Sequence, residues 1–502
     1  MKKYTCLLLS LLMFISIVIA CGDKENNINS GETTAGDTTA GTTEAETRQP
    51  LAVPAKDFGG KELRILSIWT HVTGNNATTV SDKYFSDLVY VPERTGEPIN
   101  DAIFARNLKI LEDFNVVIVV TEVQNVYNEA RKIITSGEDV YDLITPYIDD
   151  SFKLAQEKYL YNLYKIPCLE LDNPWWDQVL IEKLSLNNKL FTITGDISFD
   201  KEELNWSLFA NKVLMEEHKL NNLYDVVKDG KWTFDYVHQI GASVTRDLNG
   251  DGITDWQDLY AFGNNSTGSQ FFYLASGENI AKLDSDGYPQ LTVGSERSLN
   301  VMEKITVLFN DNNFMLWADK IAPYVEGGSG WGYFRVMFKE NRLMILMTNI
   351  YAIKELRDMF DDFAIIPPPK YDERQDNYYT IVSTHACFGY CIPVTVPSAE
   401  LERVGVLLEA MSYHSKPVLE AHLDVTITGK FLRDEESREM LEIVFNNRTY
   451  DIGKAFGWGD YISQIHIAVR DNKAFAPLYE ANRAKAEVEI QKSYNIFLEI
   501  DG

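Results

Sequence analysis

Apolar positions in the first part of the globular chain change between strand-like and helix-like spacing. Residues Lys61–Trp69 predict a first strand. Asn100 and Asp101 can cap a following helix, in which apolar residues recur at helical spacing as far as Phe114. The unbroken β-branched run Val116–Val120 predicts a second strand that is covered on both faces.

The next segment completes a repeating pattern of strands and helices. Tyr127–Ser136 predicts a helix that ends before Gly137, and Tyr141–Thr145 predicts a third strand. The order β-α-β-α-β is typical of the start of a doubly wound parallel sheet, so the predicted fold class is α/β. No glycine-rich fingerprint follows the first strand, so we predict no dinucleotide site there.

Later segments predict further elements of both kinds, without an internal repeat. The predicted strands are 190–194, 206–209, 342–348, 363–366 and 388–394, and the predicted helices are 234–244, 298–309, 401–411, 435–445 and 479–497. A globular part that runs from Phe58 to Gly502 normally forms more than one hydrophobic core.

The N-terminus has the pattern of an exported protein. Lys2 and Lys3 precede an apolar run from Leu7 to Ala20, and Cys21 follows. This arrangement resembles the lipobox of bacterial lipoproteins, which implies a signal peptide over 1–20 and diacylation of Cys21. An ordinary secretory signal with an incidental cysteine is the alternative. Residues 21–57 are rich in Thr, Gly and Glu, which predicts a disordered linker.

Composition narrows the choice of partners. The formal net charge of −27 is unfavourable for binding nucleic acid or anionic lipid. Apart from the signal, we find no run long and apolar enough to predict a membrane-spanning helix. Of five cysteines, Cys168, Cys387 and Cys391 remain in the globular part, and we expect three free thiols there.

One loop has the spacing of a calcium-binding site. Its predicted ligands are the side chains of Asp247, Asn249, Asp251, Asp255 and Asp258 and the carbonyl of Ile253. Gly252 stands at the sixth position, where the chain must turn sharply. Asp258 replaces the usual Glu, which predicts weak binding of a structural calcium ion. The alternative is a polar surface turn that binds no ion.

Several short segments, in this order along the chain, resemble an extracellular solute-binding protein of an ABC importer, of the carbohydrate-type family 1 in lipoprotein form. They are 209–212, 230–235, the loop 247–258, 338–344 and 363–369. The resemblance implies a two-lobe periplasmic-binding-protein-like fold with doubly wound sheets and a hinge. It also implies a ligand in the interlobe cleft, a membrane permease as partner, a monomeric protein and an anchored position on the extracytoplasmic face of the cell membrane.

The same resemblance suggests how the chain is divided. The predicted divisions are 58–195 for the first part of lobe 1, 196–379 for lobe 2, 380–447 for the return to lobe 1, and 448–502 for C-terminal helices that bridge the lobes.

Sugars expose apolar C–H faces and a fringe of hydroxyls, so aromatic residues beside polar groups at strand ends are candidate ligand contacts. Tyr351 and Trp206 are also supported by their positions in the family. The full set of candidates is Trp69, His71, Tyr147, Asn205, Trp206, Gln270, Trp331, Asn349, Tyr351 and Trp458. Asp149 follows the third predicted strand together with Tyr147. The alternative for each aromatic residue is packing in a core, as we expect for Trp175 and Trp176.

Two other functions remain open from the sequence. A polysaccharide-active surface enzyme would need opposed carboxylates, and adjacent pairs such as Glu202–Glu203 do not supply them. No nucleophile or zinc signature stands out, so we predict a protein that is not an enzyme. A sensor or adhesion lipoprotein could use the same fold to present a ligand.

Overall fold

The computed structural model describes residues 48–53, 56–68, 89–424 and 435–500. The predicted signal peptide, Cys21 and most of the predicted linker lie outside these residues. From Leu51 onward the chain forms one compact unit. Its described helices include none that has both the length and the apolar character needed to cross a membrane.

The described residues form twelve strands and nineteen α-helices, numbered here in chain order. The strands are β1 Lys61–Ile68, β2 Val116–Val123, β3 Leu143–Ile144, β4 Trp206–Asn211, β5 Tyr260–Asn264, β6 Ala281–Leu283, β7 Pro289–Leu291, β8 Met315–Trp317, β9 Leu343–Asn349, β10 Phe363–Ile366, β11 Thr380–Ile381 and β12 Arg448–Thr449. The helices are α1 Pro98–Phe114, α2 Val126–Ser136, α3 Ile148–Gln156, α4 Gln178–Leu184, α5 Asp200–Glu203, α6 Lys212–Glu217, α7 Leu223–Lys228, α8 Phe234–Gly241, α9 Ser269–Ala275, α10 Glu296–Asn310, α11 Ala318–Ile321, α12 Gly330–Lys339, α13 Ala352–Leu356, α14 Leu401–Tyr413, α15 Lys416–His422, α16 Glu435–Asn446, α17 Ile452–Phe456, α18 Tyr461–Arg470 and α19 Phe475–Glu499.

The first three strands form the sheet of lobe 1. They lie in the order β2-β1-β3 and are all parallel, with Lys61 paired to Val116 and Ile65 to Leu143. Helix α2 ends at Gly137, whose φ of 75° suits a residue without a side chain. The predicted β-α-β-α-β order is therefore confirmed.

Strand β2 corrects one prediction. Its valines were expected to be covered on both faces, but Val117 and Val119 are 46% and 37% exposed. The reason is that β2 is the edge strand of its sheet and buries one face only, as the alternation of Val116 and Ile118 with the exposed valines shows. β-branched residues favour a strand whether one face or both are covered.

Lobe 2 is built on a five-stranded mixed sheet in the order β10-β4-β9-β5-β8. Strand β4 is antiparallel to both of its neighbours, whereas β5 is parallel to β8 and β9. Alternate residues of β4 enter two separate cores, with Leu208 on one face of the sheet and Phe209 on the other. The start of β4 and the carboxyl ends of β5, β8 and β9 consequently lie at the same edge.

The chain passes between the lobes in segments that pair with one another. Asn205 bridges to Val382, and β11 is parallel to β12. The core of lobe 1 includes Leu204 and, apart from Ala281, resumes at Val382, so the first crossing falls after residue 204. We call Asn205, β11 and β12 the crossing ribbon.

Helix α16 differs from the predicted division of the chain, which assigned 380–447 to lobe 1. Its Met440, Leu441 and Val444 pack in the two cores of lobe 2, and the helix lies against β10. The apolar residues of this helix pack against β10, the outer strand of the larger sheet. Because α16 belongs to lobe 2, the part of the chain that returns to lobe 1 ends before residue 435.

Four consecutive charged residues, Asp200–Glu203, are buried where the chain first leaves lobe 1. The Asp200 carboxylate accepts from the Phe388 amide at 2.8 Å, and Lys201 pairs with Glu202 at 2.5 Å. Glu203 pairs with Lys354 of α13 at 2.5 Å. Buried charges are tolerated when they are paired, and here the partners come from both lobes.

Helix α14 supplies a buried acceptor for the two adjacent tryptophans of lobe 1. The Glu409 carboxylate accepts hydrogen bonds from the indole N–H groups of Trp175 and Trp176 at 3.0 and 2.9 Å. It also accepts from the Asn173 amide at 2.6 Å and from the Glu170 backbone at 3.2 Å. The tryptophans therefore fill space between elements, as the sequence predicted.

Replacing Glu409 by Leu should destabilise the protein by about 3 kcal/mol, because it leaves several buried donors without an acceptor. Urea unfolding followed by tryptophan fluorescence measures the loss. The matched control is Glu402→Leu on the same helix. Glu402 makes an exposed ion pair with Lys56, so its loss should cost under about 1 kcal/mol. Equal losses in the two variants would contradict this account.

Candidate functional site

The strand ends of lobe 2 bring several of the predicted ligand residues together. Trp206 begins β4 and pairs in register with Asn349 at the end of β9. Helix α9, which contains Gln270, begins shortly after the end of β5. Because β4 is antiparallel to β9, its first residue lies beside the last residue of β9. These residues therefore lie together at the edge of the sheet where the chain enters from lobe 1.

An aromatic cluster occupies this edge. The ring of Trp206 stacks on Phe271 with 3.9 Å between centroids and 22° between planes. Trp331, at the start of α12, lies 5.7 Å from Trp206. Phe271 is buried, whereas Trp206 and Trp331 are half-buried. Half-exposed indole faces can pack against the apolar face of a ligand.

The opposite wall belongs to lobe 1 and is polar. The Trp206 indole donates a hydrogen bond to Ser383 Oγ, which joins the two walls. Lys454 Nζ bonds to Thr384 Oγ at 2.5 Å and to Asp149 Oδ2 at 3.1 Å. The second carboxylate oxygen, Asp149 Oδ1, is buried and accepts no hydrogen bond from the described residues. We call Asp149, Thr384 and Lys454 the polar wall.

Two histidines lie near Lys454. His385 follows Thr384 and is exposed to solvent, with Lys454 and Asp149 nearby. Desolvation and the nearby Lys454 lower its pKa to about 4. Desolvation also lowers the pKa of His466, on α18, to about 4. Both rings are therefore neutral at neutral pH.

Helix α18 connects this polar side back to the aromatic cluster. Thr267 forms a backbone hydrogen bond with the His466 ring and accepts from the Gln270 side chain at 3.0 Å. Gln270 precedes Phe271, which stacks on Trp206. A ring of contacts thus surrounds the space between the lobes.

Two further cations lie beside Trp331 and Asn349. Arg335, one turn after Trp331 on α12, pairs with Glu355 and reaches Thr348 Oγ at 3.5 Å. Burial lowers the pKa of Arg335. Lys354 lies 5.0 Å from the centre of the Tyr351 ring. Burial raises the pKa of the Tyr351 hydroxyl.

The predicted candidates divide into four groups. Trp206, Gln270, Trp331, Asn349 and Tyr351 lie around the edge of lobe 2. Tyr147 stands at the start of α3 in lobe 1, half-buried and bridged to Phe388, and burial raises its pKa to about 12. Trp69 and His71 lie outside the described residues.

Two candidates do not face the cleft. Trp458 is 1% exposed in the core of lobe 1, stacked on Phe456, and its indole donates to Ser493. The glycines beside it terminate short helices, so they do not mark an open ligand loop, and the ligand assignment is wrong. Asn205 is fully buried in the crossing ribbon, where its Nδ2 donates to the Val444 carbonyl at 3.1 Å.

The sequence interpretation missed Phe271, Ser383, Thr384, His385, Lys454 and His466. These residues are separated by long stretches of chain and belong to both lobes, so no local spacing links them. The one available signal was the polar run Ser383–His385 just before the apolar segment that returns to lobe 1.

The predicted calcium loop is a compact turn closed by pairing of Arg246 with Leu259. Asp247 accepts from the amides of Gly250 and Gly252, which lowers the pKa of its carboxyl. The buried Asp258 accepts from Leu248 and Asp255.

The residue types and the positive φ of Gly252 suit a calcium loop. However, the carboxylates point at backbone amides. Among the described residues, no three His, Cys, Asp or Glu side chains converge to hold a metal ion. Calcium binding therefore stays a prediction.

A separate cavity of about 300 Å³ lies beside the crossing ribbon. Lobe 1 contributes Lys183 to it, lobe 2 contributes Leu274 and Asn279, and the crossing segments contribute Tyr379 and Thr449. It shares no residue with the aromatic cluster or the polar wall. We therefore assign the candidate ligand site to the cleft, where aromatic faces and polar groups from both lobes converge.

Known proteins resemble this chain in structure but not detectably in sequence. No family model matches it, and no curated protein matches it. A maltose/maltodextrin-binding domain from Bdellovibrio bacteriovorus bound to maltotriose aligns with a TM-score of 0.52 at 14% identity, over 86% of this chain and 100% of that one. An ABC substrate-binding protein from Listeria monocytogenes in complex with cycloalternan gives 0.51 at 11% identity, over 87% and 99%.

A family 1 extracellular solute-binding protein from Bifidobacterium longum subsp. infantis aligns with a TM-score of 0.53 at 12% identity, over 86% of this chain and 100% of that one. At these identities the alignments establish the fold. The chain has the mixed α/β periplasmic-binding-protein fold that the sequence predicted.

Acidification should weaken the folded state through His466. Its pKa is about 4 in the folded protein against about 6.5 in an unfolded chain, so only the unfolded chain gains this proton between those values. The neutral His466 ring makes its full contribution to the free energy of unfolding above pH 6.5. This contribution is lost as the pH falls towards 4. Relative to His466→Gln, the wild type should lose about 1 kcal/mol between pH 7 and pH 5, allowing for partial exposure. Urea titrations of both proteins at each pH measure it, and parallel curves would contradict the assignment.

Proposed function

We propose that this chain is the solute-binding component of an ABC importer and that it captures an oligosaccharide between its lobes. The observation that supports this most directly is the meeting of an aromatic cluster from lobe 2 with a polar wall from lobe 1. Trp206 and Trp331 offer faces for sugar C–H groups, and Asp149, Thr384 and Lys454 offer partners for hydroxyls.

Closure of the lobes around the ligand fits the way they are joined. The lobes have separate cores, and several of the segments that pass between them are the short, mutually paired segments of the crossing ribbon. A ligand that touches both walls favours the arrangement in which the walls are close. The closed form would then differ in shape from the empty form, which a membrane permease can recognise.

The N-terminal sequence supports an anchored position for this function. Cys21 would carry the acyl chains after removal of residues 1–20, and the linker 21–57 would hold the body clear of the lipid. We propose that the protein works as a monomer on the extracytoplasmic face of the cell membrane and passes its ligand to the permease.

Chemical change of the ligand is not part of the proposal. The cleft carboxylates Asp149 and Glu355 are each paired with a cation. Each of these carboxylates faces a cation, whereas glycoside cleavage needs two carboxyl groups that face each other across the glycosidic bond. The ligand should therefore be recovered unaltered after incubation, which separates this proposal from a polysaccharide-active enzyme.

Trp206→Ala should weaken oligosaccharide binding by about 30-fold, because a buried aromatic contact at the centre of a site contributes about 2 kcal/mol. A thermal-shift screen of mono- and oligosaccharides identifies the ligand, and calorimetry measures its affinity for both proteins. The matched control is Tyr164→Ala, since Tyr164 is 42% exposed on lobe 1 and bonds to Ser185.

The control should bind as the wild type does. If no glycan raises the melting temperature while a peptide or polyamine does, the carbohydrate assignment is wrong and the binding role remains. If Trp206→Ala binds as tightly as the wild type, the ligand does not occupy this cleft.

We also propose that the loop 247–258 binds a structural calcium ion when its side chains turn inward. Calcium at millimolar concentration should raise the melting temperature and EDTA should lower it, as expected for an affinity on the order of 10⁻⁴–10⁻³ M. Asp251→Ala should abolish the difference.

The control for calcium is Asp286→Ala in the exposed turn between β6 and β7, which also contains Asp284 and Gly287. This variant should keep the full calcium response. Identical melting of the wild type in calcium and in EDTA would remove the calcium proposal.

A further inference from the structure

Three cations near the cleft, Lys454, Lys354 and Arg335, are paired with carboxylates. Lys454 lies 3.1 Å from Asp149 Oδ2, Lys354 lies 2.5 Å from Glu203, and Arg335 pairs with Glu355. The side chain of Lys454 is 8% exposed. Each positive charge is therefore compensated within the protein before any ligand arrives.

The histidines of the site add no charge at neutral pH. His385 and His466 both lie near Lys454, and desolvation lowers the pKa of each to about 4. Their rings can exchange hydrogen bonds with a ligand without attracting an anion. The formal charge of the chain, −27, further disfavours the approach of an anion.

Buried oxygen atoms at the site require donors. Asp149 Oδ1 and Asn349 Oδ1 are both buried and accept no hydrogen bond from the described residues. Asp149 belongs to lobe 1 and Asn349 to the edge of lobe 2. A hydroxyl can donate to either atom, whereas a ligand carboxylate can donate to neither and would be repelled by the Asp149 charge.

We propose that this cleft selects uncharged polyhydroxylated ligands and excludes their uronate counterparts, because Asp149 neutralises Lys454 and its carboxylate would repel a ligand carboxylate. This inference rests on the proposed function, to which it adds the charge class of the ligand. Specificity here comes from a repulsive element, the Asp149 carboxylate, as much as from attractive contacts. Asp149 would thus be a specificity-determining residue.

The test uses the full globular chain with matched trisaccharides that differ only at C6. Three pairs suffice: α-1,4-gluco, β-1,4-gluco and α-1,4-galacto trisaccharides, each as the neutral sugar and as the fully C6-oxidised uronate. Calorimetry at pH 7 and low salt gives both affinities. In every pair that shows binding, the neutral sugar should bind at least about tenfold more tightly, since like charges placed together in a site are strongly unfavourable.

Asp149→Asn is the decisive variant. It keeps the shape of the side chain and leaves Lys454 with Thr384 as a partner but without its counter-charge. The ratio of uronate to neutral affinity should rise by about tenfold. The double variant Asp149→Asn with Lys454→Met should reverse this rise, because the uncompensated cation is removed.

Glu157→Gln is the control. It removes a carboxylate from the exposed ion pair with Arg131 in lobe 1 and should leave the ratio unchanged. Glu355→Gln provides an independent variant if Asp149→Asn does not fold, and it should raise the same ratio through Arg335.

The outcomes test the charge selection and the proposed function separately. A wild type that prefers a uronate, or a folded Asp149→Asn protein with an unchanged ratio, overturns the charge selection and leaves the solute-binding function standing. If none of the trisaccharides binds and a non-carbohydrate solute does, the oligosaccharide proposal fails and the charge selection fails with it.

Discussion

The buried charges at the first crossing impose the strictest constraint on this structure. Asp200, Lys201, Glu202 and Glu203 all lie inside the protein, and each must find a partner there. The partners come from separate parts of the chain: Phe388 in lobe 1, and Lys354 beyond the end of β9. Replacing such pairs by apolar residues can be neutral for stability, so their value lies more in specifying one arrangement. That arrangement fixes how β4 enters the second sheet.

The ligand site follows from this entry point. Because β4 begins at the crossing and runs antiparallel to β9, Trp206 and Asn349 face each other at the edge nearest lobe 1. The return of the chain through β11 then brings Ser383 and Thr384 opposite that edge. Neither wall exists without the crossing, and their residues come from distant parts of the sequence.

The sequence predicts the elements before Thr145 well because the relevant forces are local, whereas the strands predicted at 190–194 and 388–394 form only isolated bridges. The strand and helix pattern before Thr145 and the glycine end of α2 depend on residues a few positions apart. Trp206, Trp331 and Tyr351 could be identified from residue type, position and family resemblance. Lys454 and His466 could not, since their roles depend on packing between helices near the C-terminus and segments far upstream. Trp458 was misassigned because flanking glycines occur both in open loops and, as here, at the ends of short helices in a core.

The last helix limits how the two halves of the molecule can move. Helix α19 is 25 residues long, and its buried residues change core along its length. Tyr479 and Ala486 pack with lobe 2, whereas Ile490 and Phe497 pack with lobe 1. A continuous helix acts as a strut of fixed length, about 37 Å at 1.5 Å per residue. Rotation of one lobe about an axis close to α19 therefore keeps the contacts of this helix with both cores. Separation of the lobes along the helix axis would break its contacts with one of the two cores.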